Sequence, residues 1–232
     1  MNVLAFDTCL DACSAAVLVG SGGSRPVSAF EPMATGQAER LVPMIDELMA
    51  EAGLTFPELD RIAVTVGPGT FTGTRIAIAA VRALALSTKV VVVSTTSLAV
   101  IAERAVRHLT EPPDATDIAV AIDARRDQVY WQRFARSGGL APRSEPQVLS
   151  PEEAAQQCAS APHLIVGSGA ESVAGLSVAK HVVLPAITLP RAGDLAAMAP
   201  SLSPTGEPPA PLYLRPADAK PQTGKSIARA PT

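Results

Sequence analysis

Two acidic residues and a glycine-rich segment supply the residue types of a phosphate-binding site. Asp7-Thr8 ends the first apolar run of the chain, and Asp123 ends a later one. A carboxylate at such a strand end could hold a magnesium-bound phosphate through water. Gly67 and Gly69 stand between an apolar run and a long helical pattern, where glycines let backbone N–H groups approach an anion. These five residues form a candidate phosphate site.

The same residues also have plainer explanations, and the glycine segment fits neither common nucleotide-binding pattern. Residues 67–75 read GPGTFTGTR, whereas a P-loop has lysine and then serine or threonine after its last glycine. The GxGxxG pattern fails because three residues separate Gly69 from Gly73. Arg125-Arg126 follows Asp123 where a phosphate-binding turn would carry glycine, and aspartate is common in ordinary turns.

Other catalytic patterns are absent from the sequence. The three histidines are His108, His163 and His181, and no HExxH or HxxxH pattern occurs. A mononuclear metal hydrolase would place two histidines on one helix face. No serine lies in a GxSxG pattern, which a nucleophile elbow requires. The sequence therefore predicts neither a metal centre nor a serine hydrolase, and we expect no cofactor.

Composition restricts the class of protein further. The chain has 232 residues, 47% of them hydrophobic but only 3% aromatic, which suits one large domain or two lobes with aliphatic cores. The formal charge of −3 argues against independent nucleic-acid binding, although a partner could hold the nucleic acid. The first residues do not resemble a signal peptide and no apolar run could span a membrane, so we expect a cytoplasmic protein with reduced cysteines.

The first 108 residues predict elements in the order β-β-β-α-β-α-β-α. Three apolar runs separated by turns come first, and helical spacing follows them. The predicted strands span residues 2–7, 12–19, 26–31, 61–66 and 89–93, and the predicted helices span about 38–53, 70–87 and 96–107. An antiparallel start followed by βαβ crossovers gives a mixed sheet with helices on its faces. This is the α/β topology of the ribonuclease-H-like fold, half of an actin-like molecule.

The remainder predicts a second, smaller lobe and a tail. Two strands at 118–123 and 128–134, a helix beginning at Ser150-Pro151 and a strand at 163–166 are too few for a full copy of the first lobe. We therefore predict a two-lobe actin-like (ASKHA) protein with a complete first lobe and a reduced second lobe. The predicted boundaries are 1–108 and 109–210, followed by a partly disordered tail at 211–232.

The first two helices have an unusual distribution of apolar residues. The helix after the glycine segment is apolar nearly all round, with many alanines, and one sheet can cover only one side of it. A small-residue face suits close packing against a second subunit, although the second lobe of the same chain could also bury it. The side chains assigned to this interface are Leu41, Met44, Ile45, Leu48, Gly73, Ala77, Ala80 and Leu84. On this basis Ala77→Arg or Ala80→Arg is expected to leave the fold intact and abolish pairing.

Six segments carry a resemblance to a known family. They are LAFDT at 4–8, AERLVPMIDEL at 38–48, VGPGTFTGTR at 66–75, STTSL at 94–98, IDARRDQVY at 122–130 and PLYLRP at 211–216. In these segments, of which the glycine segment is the most specific, the chain resembles the TsaB (YeaZ) family of bacterial proteins. The resemblance runs from the first strand to about Pro216.

This resemblance implies a role in tRNA modification. The resemblance implies that the protein supports the formation of N6-threonylcarbamoyladenosine next to the anticodon of tRNAs that read codons beginning with A. It implies a non-catalytic subunit that binds the catalytic paralogue TsaD through its two early helices, with the ATPase TsaE docking on the pair. The same surface is expected to form a homodimer without the partner. Gln37 stands where relatives often have histidine, and Asp7 is interpreted as a remnant of an ancestral phosphate site.

Two other classes of function stay open at this point. One is an M22-type metallopeptidase, an older description of these relatives, which the missing histidine pair disfavours. The other is an independent ATPase or kinase of the actin-like superfamily. Asp7 and the glycine turns favour that class, whereas the sequence around Asp123 disfavours it.

Overall fold

The computed structural model describes residues 1–20, 25–109, 117–136 and 140–215, which form two lobes, each built on one sheet. The first sheet has five strands in the order β3-β2-β1-β4-β5. Strands β1, β2 and β3 are antiparallel, whereas β4 and β5 run parallel to β1. This order confirms the predicted ribonuclease-H-like topology. The bounds are β1 Val3–Asp7, β2 Ala12–Leu18, β3 Val27–Pro32, β4 Arg61–Thr65 and β5 Val91–Thr95.

Three long helices pack around this sheet. They are α1 Gln37–Ala52, α2 Phe71–Thr88 and α3 Ser97–His108, and a short 3-10 turn at Phe56–Glu58 follows α1. Helix α1 ends at Gly53, whose φ of 65° is the left-handed conformation typical of a glycine C-cap. Thr70 caps α2 by accepting a hydrogen bond from Gly73 N–H. Helices α1 and α2 share one core with the sheet, while α3 packs mainly on the second lobe.

The second sheet repeats the strand order of the first, and its strands β8, β10 and β11 are shorter than their counterparts. Its order is β11-β10-β6-β7-β8, and β9 also pairs with β7. Strand β6 pairs with β7 antiparallel and with β10 parallel. In the first sheet, β1 likewise pairs with β2 antiparallel and with β4 parallel. The bounds are β6 Asp117–Asp123, β7 Val129–Ala135, β8 Ala141–Pro142, β9 Gln147–Leu149, α4 Pro151–Gln157, β10 His163–Val166, α5 Ala170–Leu176 and β11 Val182–Val183. The second lobe is thus reduced in length, although its topology is that of the first.

The last helix returns to the first lobe. Helix α6 spans Ala192–Met198 and packs on the face of the first sheet opposite α1 and α2. Ala192 N–H donates to Ser14 Oγ at 3.0 Å, and Leu195 lies in a core with Val3 and Ala16. The predicted second-lobe range of 109–210 therefore includes residues that complete the first lobe. The sequence did not indicate this return because a seven-residue helix carries little periodic signal.

Residues 199–215, called here the C-terminal strap, cross the first lobe and reach the second. Arg61 donates to the carbonyl oxygens of Ala199 and Leu202 at 2.8 and 2.7 Å. Arg82 donates to Pro209 O, and Leu212 N–H donates to Val66 O at 2.7 Å. The residues after Arg215, including the end predicted to be disordered, lie outside the described part of the chain.

Two further sequence predictions concern the whole chain. Among the described residues, no helix is both long enough and apolar enough to cross a bilayer. Cys9, Cys13 and Cys158 are all buried free thiols. The structure therefore agrees with reduced cysteines that contribute to packing.

Candidate functional site

The glycine segment of residues 67–73 packs directly on the turn between β1 and β2. Thr70 N–H donates to Cys9 O at 2.7 Å, and Thr8 Oγ1 donates to Gly73 O at 2.7 Å. A Cβ on Gly69 would lie 2.1 Å from Cys9 O, and one on Gly73 would lie 2.0 Å from Thr8 O. Glycine is therefore required at these positions because the chain's own backbone approaches them closely. This packing explains the glycines without a bound anion.

Asp7 is enclosed beneath this segment. Its carboxylate is buried and accepts a hydrogen bond from Thr65 Oγ1. Burial raises the pKa of the Asp7 carboxyl to about 6, although hydrogen bonds from Thr65 and Cys9 lower it. Neither Asp7 nor Thr8 lines the cleft between the lobes. A magnesium-bound phosphate in that cleft would not meet this carboxylate, so the geometry gives the ATPase alternative no support.

Asp123 lies on the opposite side of the cleft, where it is exposed and organises its own turn. Asp123 N–H donates to Ser168 Oγ at 2.9 Å, and Asp123 Oδ1 accepts from Arg125 N–H at 2.7 Å. Of the predicted phosphate-site residues, Gly69 and Asp123 line the cleft, whereas Asp7, Thr8 and Gly67 do not. The five residues therefore do not form one site in this structure.

The turn after Asp123 has a conformation that the sequence did not predict. Arg125, Arg126 and Asp127 have φ values of 60°, 57° and 52°, a left-handed region that costs roughly 1–2 kcal/mol for each non-glycine residue. Arg215 of the C-terminal strap holds this turn. Its guanidinium donates to Ala124 O at 2.8 Å, to Arg125 O at 3.2 Å and to the side chain of Gln128.

A cleft of about 1460 Å³ separates the lobes on this side. On its first-lobe wall, the Phe71 and Tyr213 rings lie 5.6 Å apart at 24°. The Arg75 guanidinium lies 3.6 Å from the centre of the Phe71 ring, a cation–π contact, and Arg75 Nε donates to the Tyr213 hydroxyl at 2.8 Å. Arg125 and Tyr130 lie on the second-lobe wall. The cleft lining therefore combines aromatic and cationic groups with two acidic residues, Asp11 and Asp123.

The interface side chains predicted from the sequence face inward. Leu41, Met44, Ile45, Leu48 and Ala77 are buried in the core of the first lobe. Gly73 is buried against Thr8, and Ala80 and Leu84 are half-buried against the same core. Their assignment to a contact surface needs correction, because the apolar stripe of each helix is the side that covers the sheet.

The opposite face of the two helices is exposed and partly apolar. Val42 is 55% exposed on α1, and Leu86 is 85% exposed on α2. Ala79 and Ala83, two turns and one turn before Leu86, are also exposed. On α1, Arg40 pairs with both Glu31 and Glu47 at 2.8 Å. This outward face is the exposed, partly apolar side of α1 and α2.

The histidines of the second lobe are structural. His181 Nδ1 accepts from His163 N–H at 3.0 Å, so the neutral ring carries its proton on Nε2, near Ser177 Oγ at 2.7 Å and Cys158 Sγ at 3.4 Å. Burial lowers the pKa of His181 and raises that of Cys158. Within the described residues, no group of three or more His, Cys, Asp or Glu side chains is arranged to hold a metal ion.

Comparison with known proteins identifies relatives over nearly the whole chain. A family model described as "TsaD: tRNA N6-adenosine threonylcarbamoyltransferase" matches residues 27–197. The tRNA threonylcarbamoyladenosine biosynthesis protein TsaB of Escherichia coli (strain K12) is 32% identical over 228 residues, which cover 93% of this chain and 95% of that protein. The TsaB protein of Haemophilus influenzae is 32% identical over 178 residues, 73% of this chain and 72% of that protein.

Solved structures agree with the sequence relatives. YeaZ from Pseudomonas aeruginosa superimposes with a TM-score of 0.77 at 33% identity, covering 92% of this chain and 99% of that one. A second structure, described as an uncharacterized protein with similarity to peptidase YEAZ from Pseudomonas aeruginosa, gives a TM-score of 0.78 at 34% identity with the same coverage.

Proposed function

Because this chain belongs to the TsaB family, we propose that it takes part in the biosynthesis of threonylcarbamoyladenosine in tRNA as a non-catalytic subunit. In this proposal it binds and activates the catalytic paralogue TsaD, and the ATPase TsaE joins the pair. It acts in the cytoplasm, and tRNA reaches it through the complex.

The outward face of α1 and α2 is the observation that carries this proposal. Val42, Ala79, Ala83 and Leu86 expose apolar side chains on helices that are already anchored to the first sheet by their opposite faces. Small residues beside an exposed leucine allow close approach of another helix pair, and burial of such a face favours association. A partner subunit with the same two-helix arrangement would cover this face. In the absence of that partner, two copies of this chain would pair through it.

A role as partner rather than enzyme is supported by the site geometry and the sequence. Asp7 is buried under the glycine segment, where it cannot reach a ligand in the cleft. The sequence also has no HxxxH pattern, with which two histidines on one helix face could hold a catalytic metal ion.

The experiment reconstitutes threonylcarbamoyl transfer to tRNA with TsaD, TsaE and the synthase that makes threonylcarbamoyl-adenylate. Transfer is measured with and without this chain. We expect transfer only when the chain is present, and none from the chain alone. Transfer that does not depend on the chain would contradict the proposed function.

Two exposed residues provide a matched pair of variants for the interface. Leu86→Arg places a charge on the outward face of α2, whereas Val178→Arg changes a second-lobe residue that is 88% exposed. Leu86→Arg is expected to weaken binding to TsaD by about a hundredfold, as loss of an interface anchor does, and Val178→Arg by less than about twofold. Both can be measured by calorimetry and by sedimentation. Equal binding of TsaD by the two variants would show that the interface does not lie on this face.

A further inference from the structure

The first-lobe wall of the cleft presents a flat aromatic surface. Phe71 is 49% exposed and Tyr213 is 46% exposed, although both contact other residues. Arg75 lies over the Phe71 ring and is fixed by the Tyr213 hydroxyl, so only its Nε–H is used in a hydrogen bond within the described residues. The terminal N–H groups of Arg75 therefore remain as donors at the edge of two aromatic rings.

The second-lobe wall presents a second guanidinium on a fixed turn. Arg125 is exposed, and its side chain has no hydrogen-bond partner among the described residues. Its backbone is held from both sides, since its N–H donates to Asp123 and its carbonyl accepts from Arg215. The backbone of Arg125 is therefore fixed, and its side chain lines the cleft with its donors unused among the described residues.

We propose that the cleft takes one unpaired nucleotide of the tRNA substrate, with its base against Phe71 and Tyr213 and its phosphate between Arg75 and Arg125. This inference rests on the proposed function, which brings tRNA to the complex. Single-stranded RNA is recognised by stacking of bases on aromatic side chains and by arginine contacts to its backbone. The cleft walls present both kinds of group, beside Asp11 and Asp123.

The geometry favours RNA over a free nucleoside triphosphate. A triphosphate needs a loop of free backbone N–H groups, yet the glycine segment lies against Thr8 and Cys9 and Asp7 is enclosed beneath it. With a formal charge of −3, the chain should bind RNA weakly alone, and the contact belongs to the assembled complex.

Arg125→Asn tests the phosphate contact, because asparagine tolerates the left-handed conformation of this residue. Arg143→Asn is the matched control, since Arg143 is an exposed arginine of the same lobe that lies outside the cleft lining. In the reconstituted complex, Arg125→Asn is expected to raise the KM for tRNA about tenfold with little change in kcat, whereas Arg143→Asn leaves both unchanged.

Tyr213→Leu and Tyr213→Phe test the stacking contact. The probe is a tRNA whose anticodon loop carries photoreactive 4-thiouridine, and the readout is cross-linking to this chain in the complex. Phenylalanine keeps the ring and is expected to keep the cross-link, whereas leucine removes the ring and the cross-link with it. Thermal unfolding of both variants shows whether the strap stays folded, and a misfolded Tyr213→Leu variant leaves Arg125→Asn as the deciding change.

The outcomes separate this inference from the proposed function. If transfer depends on the chain but Arg125→Asn changes neither KM nor the cross-link, the cleft proposal is overturned while the proposed function stands. If transfer does not depend on the chain, the proposed function fails first. If AMP displaces the tRNA cross-link at concentrations similar to that of the tRNA, the site takes a free nucleotide and the RNA assignment is wrong.

Discussion

The carbonyl oxygen of Cys9 occupies the space where a side chain of residue 69 would begin, since a Cβ on Gly69 would lie 2.1 Å from it. The same oxygen accepts a hydrogen bond from Thr70 N–H at 2.7 Å. The segment that resembles a phosphate loop is therefore closed by the chain's own backbone. This contact also explains why Asp7 is buried, because the β1–β2 turn that follows it is covered.

Gly69→Ala should destabilise the chain strongly. The added methyl group must displace the backbone of Cys9, and we expect a loss of about 3 kcal/mol or more in the free energy of unfolding. Gly175→Ala is the control, because nothing lies within 4 Å of a Cβ at that position in α5. Alanine there should be neutral or stabilise by up to about 1 kcal/mol. Urea denaturation followed by circular dichroism measures both, and equal stabilities would contradict the close contact.

Asp7 should make stability depend on pH. Its folded pKa of about 6 is above the ordinary value of 3.8, so the folded state holds the proton more tightly than the unfolded state. Stability contributed by this proton is present below about pH 4 and is lost as the pH rises through 6. Asp7→Asn removes the titrating group. The free energy of unfolding of this variant should therefore rise by about 3 kcal/mol relative to that of the wild type as the pH rises from 4 to 7.

Denaturation of both proteins at several pH values tests this expectation. Asp46→Asn, which removes an exposed carboxylate from α1, controls for the loss of one negative charge. A difference between Asp7→Asn and wild type that stays constant with pH would show that Asp7 is ionised in the folded state as easily as in the unfolded state.

Ala77→Arg and Ala83→Arg should separate the two faces of α2. Ala77 is fully buried in the first-lobe core, so an arginine there would bury a charge and should prevent folding. This replaces the sequence-based expectation that Ala77→Arg leaves the fold intact. Ala83 is exposed, and Ala83→Arg should keep the wild-type melting temperature within about 2 °C while it abolishes partner binding. A folded Ala77→Arg protein would overturn the assignment of the two faces.

Arg215→Ala should loosen the turn after β6. The carbonyls of Ala124 and Arg125 lose their donor, and three left-handed residues lose the contact that holds them. We expect a loss of about 1–2 kcal/mol and faster hydrogen exchange of the Ala124 N–H, which is bonded to Gln128 O at 2.8 Å. Arg143→Ala should leave that exchange rate unchanged. Unaltered exchange in Arg215→Ala would show that the turn is stable without the strap.

Much of the first lobe could be predicted because its signals are local. Apolar runs, turn residues and helical spacing fixed five strands and three helices within a few residues, and their order determined the sheet topology. In the second lobe, β8 and β11 have two residues each, too few for any periodic pattern. Helix α6 was missed for the same reason, and its position on the first sheet depends on contacts such as that with Ser14, far away in sequence.

The candidate site was less predictable because its decisive contacts are long-range. The glycine spacing in residues 67–73 is the same for a loop that holds an anion and for one that packs on Thr8 and Cys9. A helix that is apolar nearly all round does not reveal which side faces its sheet, so the inward side chains of α2 were assigned outward. Nothing near Arg215 indicates its contact with Ala124, from which 90 residues of chain separate it.

The return of α6 to the first sheet has a consequence for synthesis on the ribosome. One face of that sheet, formed by Val3, Ala5, Ala16 and Ala63, is covered by Leu195 and Ala196. The nascent chain must therefore carry this apolar face without its cover until Leu195 and Ala196 have been translated. The first 108 residues contain every strand of the first lobe, but the lobe is completed by α6 at Ala192–Met198. A fragment that stops at residue 108 should therefore aggregate rather than fold.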